Sequence, residues 1–339
     1  MPAGGVGRKG FLRTLLLISA SSLALIGLVA CGGGGGGGGG DQAEDFPSER
    51  IEMIVPFDAG GGTDQTARQL ATAAETTCGT QVFVTNQPGS SGAVGFQAVA
   101  NAQPNGYTVG LATAELAIIN HFGVAPITPE DVRGVMQYNF DPAALTVAAD
   151  SPYETIDEFL SAAQEGQTLR IGTSGTGSIW HISYAGMTQE AEVPLMTNVP
   201  FDGAAPAIAA LLGGQVEATS ASAVEAAPQI ESGELRPLVV MSEERLSIVP
   251  DTPTLQEEGI DWASGAWRGL VVPKDTPDEQ VQTLNDCFRE AYESPEFTEF
   301  METQGFGMEY RSAEEFDAFM SDEYERFGEL VESLGLREQ

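Results

Sequence analysis

The chain has 339 residues, and its 49 Asp and Glu residues against 15 Lys and Arg residues give a formal net charge of −34 at pH 7. This excess disfavours a nucleic acid or an anionic lipid surface as a partner, because neutralising phosphates requires Lys and Arg. The acidic residues are spread along the chain, which is typical of a solvated surface. High salt would screen their mutual repulsion, so such a surface suits a saline habitat.

The first 31 residues have the pattern of a lipoprotein signal peptide. Arg8, Lys9 and Arg13 form a positive segment, residues 15–29 are apolar and uncharged, and a small residue precedes Cys31. The alternative, a transmembrane anchor, needs roughly 20 apolar residues, and this run is shorter. We therefore expect cleavage before Cys31, a lipid on its thiol, and a mature protein held on an extracytoplasmic face of a bacterial cell membrane.

Residues 32–40 are nine consecutive glycines. Glycine has no side chain to pack and large backbone freedom, so such a run behaves as a flexible tether. We assign residues 32–46 to this tether and expect the folded part to begin near Pro47.

Short apolar segments alternate with amphipathic segments over the rest of the chain. Strands are predicted at residues 51–56, 81–86, 107–112, 145–149, 169–173, 196–200, 216–219, 235–241 and 267–272. Helices are predicted at residues 63–77, 94–102, 156–164, directly after 178, and at 205–212, 278–294 and 313–334. Strand, glycine-rich loop and helix in alternation predict an α/β fold with a parallel sheet.

Two glycine-rich loops stand where a predicted strand gives way to a helix, at residues 60–64 and 174–178. Free backbone amides and the helix dipole favour an anion at such a position, and ligands of open α/β sheets bind at the carboxyl ends of strands. The pair predicts one carboxylate-type ligand held between two lobes, with Gly177 allowing the backbone to approach it. The alternative is two ordinary structural turns.

The same loops lack the motifs of common enzymes. No lysine follows the glycines as in a phosphate-binding loop, the dinucleotide pattern is absent at residues 60–65, and residues 172–176 fail the nucleophile-elbow pattern at the last position. His181 follows the second loop without an evident activated partner, and it is interpreted either as a donor to a ligand or as a helix-cap or packing residue. No zinc-type ligand set is visible, so neither a metal nor a cofactor is expected.

Two cysteines remain once Cys31 is assigned to the lipid. Cys78 and Cys287 would lie in an oxidising compartment, where a disulfide between them is permitted. The sequence alone does not show that they meet, and the bridge is left open.

A series of short motifs runs through residues 47–335 in a specific order and spacing. They are IVPF (54–57), GGGTDQTAR (60–68), NQPG (86–89), GAVG (92–95), PNGYT (104–108), GTSGTGS (172–178), VPFDG (199–203), LGGQV (212–216), PDTPT (250–254), WRGL (267–270) and PKDTP (273–277). In this combination the chain resembles the substrate-binding proteins of tripartite tricarboxylate transporters, also called the Bug family.

The resemblance implies a two-lobed periplasmic-binding-protein-like fold of type II. Each lobe would be a mixed, mostly parallel sheet flanked by helices, and a hinge would join the lobes. Residues 47–147 with 248–339 would form one lobe and residues 148–247 the other. Such proteins are not enzymes; they close as monomers on a small carboxylate and deliver it to the permease subunits of the transporter.

The resemblance also implies a binding site built mainly from backbone amides of the two loops. The residues carried over as ligand-binding are Phe57, Ala59, Gly60, Gly61, Gly62, Thr63, Asp64, Thr113, Ser174, Thr176, Gly177, Ser178, His181, Asp202 and Ser222. Asp202 departs from the family, which often has a basic residue in this motif. An acid beside the cleft disfavours a highly anionic ligand, so a ligand that carries an amine, or a less charged acid, becomes plausible.

Two other functions are open on these residues. A receptor that presents its ligand to a sensor kinase would have the same fold without transport. A hydrolase or isomerase on a similar scaffold is disfavoured by the missing nucleophile elbow, metal ligands and cofactor loop.

Overall fold

The structure, a computed structural model, describes residues 46–338. The predicted signal peptide, the lipid site at Cys31 and residues 32–45 of the predicted tether lie outside the described residues. Among residues 46–338, no helix is long and apolar enough to cross a bilayer. Regular structure begins close to the predicted start, since Ile51 opens the first strand.

Strands and helices alternate through the described residues much as the sequence predicts. The strands are β1 (Ile51–Val55), β2 (Val82–Asn86), β3 (Thr108–Thr113), β4 (Val132–Ala148), β5 (Arg170–Thr173), β6 (Thr197–Pro200), β7 (Ala218–Ser222), β8 (Leu235–Val240), β9 (Gly265–Pro273) and β10 (Met308–Arg311). The α-helices are α1 (Gly62–Thr77), α2 (Ala93–Ala100), α3 (Ile156–Gln164), α4 (Ile179–Glu190), α5 (Ala204–Leu212), α6 (Ala227–Glu231), α7 (Asp278–Tyr292), α8 (Pro295–Gln304) and α9 (Ala313–Ser333).

The strands form a mixed sheet in the order β2-β1-β3-β9-β4-β7-β5-β6, with β8 and β10 also pairing with β4. Parallel pairing is confined to the two ends of this order, where β1 pairs with β2 and β3, and β5 pairs with β6 and β7. The central pairs, β3 with β9 and β4 with β7, β8, β9 and β10, are antiparallel. The sheet is therefore less dominated by parallel pairs than the sequence predicts.

The long strand β4 stands in the middle of the sheet and joins its two halves. Its first part pairs with β9, from Val132 to Pro142, and its last part pairs with β7 and β8, from Ala143 onward. The sequence predicts only the end of this strand, at residues 145–149. The reason is that Gln137, Asn139 and Asp141 look like solvent-facing residues, whereas the structure buries and hydrogen-bonds all three.

Other boundaries differ because of local capping. The helix predicted over residues 278–294 ends earlier, and Ser294 caps the separate helix α8 by accepting a hydrogen bond from the Phe297 amide. Pro295 occupies the first turn of α8, where its missing N–H costs nothing. Serine followed by proline is a helix-start signal that the sequence interpretation missed.

Helix α1 carries one glycine loop at its start and is anchored at its end. Its buried residues include Ala67, Leu70, Ala71 and Ala74, which recur on one face at helical spacing and pack against the sheet and α7. At the C-cap of α1, the sulfur of Cys78 is bonded to that of Cys287 on α7, at 2.02 Å. The disulfide thus ties two helices whose cysteines are 209 residues apart in sequence.

Candidate ligand-binding cleft

A cleft of about 380 Å³ lies where the carboxyl ends of six strands meet. The segments after β1, β2, β3, β5, β6 and β7 line it, together with the start of β9. Three other surface cavities in the described part of the chain are larger, at about 580–780 Å³, but none of them includes residues of the two glycine loops. The position of this cleft is the one that open α/β sheets use for ligands.

Nine of the predicted binding residues line this cleft. They are Phe57, Gly61, Gly62, Thr63, Asp64, Thr113, Ser174, Thr176 and Ser178. Six predicted residues lie outside its lining. They are Ala59, Gly60, Gly177, His181, Asp202 and Ser222.

In the first loop, the Asp64 carboxylate stabilises the loop itself. One oxygen accepts from the Gly60 amide at 2.8 Å, and the other accepts from Asn86 Nδ2 at 2.8 Å and from Arg68 at 2.9 Å. Burial alone would raise the pKa of Asp64, but the hydrogen bonds from Arg68, Asn86 and Gly60 hold that pKa below its ordinary value. The side chain is therefore ionised, and its oxygens are already engaged.

The start of α1 is free to receive an anion. The N-cap residue Gly61 has no side chain, and no side-chain cap satisfies the first turn. The first amides of a helix have no partner within the helix, and they carry the positive end of its dipole. Because Gly61, Gly62 and Thr63 line the cleft, these amides form an anion-binding position there.

In the second loop, two side chains are used to hold the backbone. Ser178 caps α4 by accepting from the His181 amide at 3.3 Å, and the Gly177 amide donates to His181 Nδ1 at 3.1 Å. Burial lowers the pKa of His181 to about 4, so the ring is neutral near pH 7. Because Nδ1 accepts, the ring proton is assigned to Nε2. His181 is thus a loop-supporting residue in this structure, rather than a lining donor.

The glycine that faces the cleft in this loop is Gly175, not Gly177. Gly175 lines the cleft with a φ of +138° and has open space where a Cβ would be. Gly177 is buried, has a φ of +74°, and a Cβ there would lie 3.1 Å from the Phe122 ring. A bulky residue at Gly177 would therefore distort the loop through strain and collision, without standing in the path of a ligand.

A third helix start also reaches the cleft. Gly203, with a φ of +115°, precedes α5 without a side-chain cap, and it lines the cleft with Ala204. The adjacent Asp202 is exposed and does not belong to the lining. The VPFDG motif thus contributes backbone to the lining through Gly203, and its acidic side chain lies outside the lining.

Arg268 on β9 is a lining residue that the sequence analysis missed. Its side chain is 12% exposed, and Nη1 donates to Asp141 at 2.6 Å and to Asn139, its cross-strand neighbour on β4. Nε donates to Thr63 Oγ1 at 3.0 Å, which joins the arginine to the first loop. The remaining nitrogen, Nη2, lies 3.3 Å from the position that a Cβ on Gly62 would take. A positive charge therefore stands beside the free amides of α1.

Two glutamates that the sequence analysis also missed, Glu115 and Glu225, belong to the lining. Thr113 Oγ1 donates to Glu115 at 2.6 Å, and the Ser222 hydroxyl and amide donate to Glu225 at 3.2 and 3.3 Å. Glu225 is exposed at the cleft, but the protein around it displaces part of its solvent and raises its pKa, although Ser222 and Arg268 partly offset the rise. The two hydroxyls predicted to bind ligand are thus engaged by acids.

The cleft can bind an anion through oriented amides and one arginine. Among residues 46–338, no group of three or more His, Cys, Asp or Glu side chains is arranged to hold a metal ion. The neutral His181, with Nδ1 occupied by Gly177, is not positioned as a base for the loop serines. The donors that line the cleft suit recognition of a carboxylate.

The sequence pattern of the tripartite tricarboxylate transporter family receptor matches residues 66–336. The chain belongs to this family. The resemblance drawn from the sequence motifs is therefore confirmed, and with it the assignment to extracytoplasmic solute-binding receptors.

Solved structures confirm the two-lobed α/β fold. A tripartite-type solute-binding protein from Polaromonas, solved without ligand, is 39% identical with a TM-score of 0.77, covering 85% of this chain and all of that one. MatC from Rhodopseudomonas palustris, solved with bound malate, is 27% identical with a TM-score of 0.72, covering 84% of this chain and all of that one. A second R. palustris protein, solved with adipate, is 27% identical with a TM-score of 0.73, covering 86% of this chain and 99% of that one.

Proposed function

We propose that this receptor captures a small carboxylate in the cleft and delivers it to the permease subunits of a tripartite tricarboxylate-type transporter. The observation that carries the proposal is the meeting of two uncapped helix starts, α1 and α5, with Arg268 at one cleft. Amides and a guanidinium in the lining of one cleft are donors that suit a carboxylate. The malate and adipate bound by the two R. palustris proteins support this class of ligand.

The proposed mechanism is closure of two lobes about the central strands. The first loop would belong to the lobe of residues 47–147 and 248–339, and the second loop and α5 to the lobe of residues 148–247. Closure would bring the helix starts of both lobes onto one ligand, so that ligand binding favours the closed state. Strand β4, which pairs with β9 through its first part and with β7 through its last part, is the natural connection between the two lobes.

We further propose that the mature protein acts as a monomer tethered by a lipid on Cys31. A flexible glycine segment would let the folded body move above the membrane and meet the permease. Transport and sensing differ in the membrane partner, so uptake of the ligand by cells that carry or lack the receptor gene separates the two functions.

The first experiment is a thermal-shift and calorimetric screen of the purified protein against mono-, di- and tricarboxylates, aromatic acids and amino acids. We expect at least one small carboxylate to stabilise the protein and to be recovered unchanged. Failure of every carboxylate to bind, or chemical turnover of the bound compound, would contradict the proposal.

The Gly62→Ala variant tests the position of the carboxylate. Gly62 has an ordinary backbone conformation, and a Cβ there would point toward Arg268 Nη2 and the Phe306 ring, at 3.3 and 3.2 Å. We expect the variant to fold and to bind the ligand at least about tenfold more weakly, a loss of about 1.4 kcal/mol. Gly213→Ala, at the far end of α5, is the matched control and should bind normally. Unchanged affinity in Gly62→Ala would remove the first loop from the site.

A further inference from the structure

The charges that line the cleft are unbalanced toward the acidic side. Arg268 is the one basic side chain among the described lining residues, and Asp141 already pairs with it. Asp64 is likewise paired, with Arg68. Asp58, Glu115 and Glu225 also line the cleft, and none of the three forms an ion pair with a described residue.

Glu115 and Glu225 each retain an unused acceptor. Oε2 of Glu115 accepts from Thr113, and Oε2 of Glu225 accepts from Ser222. Among residues 46–338, no donor reaches Oε1 of either carboxylate. Both side chains are held in place by a neighbouring hydroxyl, so that an oxygen of each remains available to a ligand donor.

We infer that the ligand carries a cationic nitrogen as well as a carboxylate, and that the receptor takes an amino acid. Its carboxylate would lie at the start of α1 beside Arg268, and its ammonium group would face Glu225, with Glu115 as a second acceptor. The inference rests on the proposed function, since it specifies the ligand class of the same cleft.

The physical reason is charge compensation in a partly desolvated space. Glu225 lines the cleft without an ion-pair partner and with one oxygen unused, so an ammonium within hydrogen-bond distance would offset its charge. A second carboxylate on the ligand would instead meet Glu115 and Glu225 with a like charge. The single arginine is partly neutralised by Asp141, so it offsets one ligand carboxylate and not several.

Calorimetry at pH 7.5 with matched pairs of small molecules tests the inference. Each pair shares a carbon skeleton and differs by an amino group: L-alanine and propionate, L-aspartate and succinate, L-phenylalanine and 3-phenylpropionate. We expect the amino acid of at least one pair to bind ten or more times as tightly as its partner. Glu225→Gln keeps the shape of the side chain and one oxygen acceptor but loses the charge. In this variant the preference should fall to threefold or less.

The control variant is Glu190→Gln, which removes one negative charge from an exposed position on α4 away from the cleft. It should retain the preference of the wild-type protein, whereas a loss there would indicate a long-range field effect and overturn the role of Glu225. Unchanged melting temperatures would show that both variants fold.

Two results would overturn the inference and leave the proposed function standing. One is tighter binding of the plain acid than of the amino acid in every pair that binds, which would indicate a protonated Glu225 that donates to a carboxylate. The other is a preference for the amino acid that survives in both Glu225→Gln and Glu115→Gln. Failure of all carboxylates in the wider screen would instead contradict the proposed function itself.

Discussion

The two glycine loops look alike in sequence but are built differently. In the first loop, the Asp64 carboxylate accepts from Gly60, Asn86 and Arg68, and the helix that follows starts without a cap. In the second loop, Ser178 caps the helix and His181 accepts from the Gly177 amide. The first loop therefore offers free amides to a ligand, whereas the polar groups of the second hold its own backbone.

The difference shows where the polar side chains of a glycine-rich loop are used. A loop with several glycines has high backbone freedom, so its neighbouring polar side chains are needed to hold one conformation. Asp64 and His181 do this through two unlike chemistries, an ionised carboxylate and a neutral imidazole. The basic side chain of the cleft lining comes from elsewhere, from Arg268 on the distant strand β9.

The largest effect is expected from removing the support of the first loop. Arg268→Ala would leave the buried carboxylate of Asp141 without its partner and would free Thr63 from the guanidinium. Breaking a buried ion pair by removing one partner costs about 3–5 kcal/mol, and we expect a loss of this size in the free energy of unfolding measured with urea. Ligand binding should be lost as well.

Arg245→Ala is the matched control for that experiment. Arg245 and Glu257 form an exposed pair on the surface, and such pairs contribute about 0–1 kcal/mol. If the free energies of unfolding of Arg268→Ala and Arg245→Ala differ by less than 1 kcal/mol, Arg268 is not a structural support of the first loop.

The second loop should show its own dependence on pH. The pKa of His181 is about 4 in the folded protein and ordinarily 6.5, so the unfolded chain binds the proton more readily between these values. The contribution of neutral His181 to the free energy of unfolding is complete above pH 6.5 and is lost as the pH falls toward 4. A shift of this size corresponds to about 2–4 kcal/mol in the free energy of unfolding.

The measurement is the free energy of unfolding of the wild-type protein and of His181→Gln at several pH values between 4 and 7. We expect the wild-type protein to lose more stability on acidification than the variant, which keeps a polar group but does not titrate. His121→Gln should retain most of the wild-type slope, because His121 is only partly buried. Parallel curves for the wild-type protein and His181→Gln would show that the second loop does not depend on a neutral imidazole.

The smallest effect is expected at Asp202. This residue is exposed and lies outside the cleft lining, although its neighbour Gly203 belongs to it. Asp202→Asn should change the ligand dissociation constant by less than about twofold, since a screened surface charge acts weakly over such a distance. A change of more than fivefold in calorimetry would place Asp202 at the ligand in the closed state and restore its predicted role.

Much of the fold follows from patterns within short segments. Alternating apolar segments and glycine loops predicted β1, α1, β5 and α4, because periodicity and capping act over a few residues. The first part of β4 was missed because Gln137, Asn139 and Asp141 are buried polar residues, which break the pattern of a buried strand. Their burial becomes favourable only through partners on other elements, such as Arg268 and Gly307.

The sequence by itself determined the family, the two loops and the strand ends at which a ligand would bind. It did so because order, spacing and glycine positions are local properties of the chain. Only the tertiary structure decided which polar groups face the cleft. Thr63 and Arg268 are 205 residues apart, and β3, β9 and β4 must pair before they meet. Long-range pairing of this kind joins Cys78 to Cys287, places Arg268 beside α1, and leaves Asp202 outside the lining.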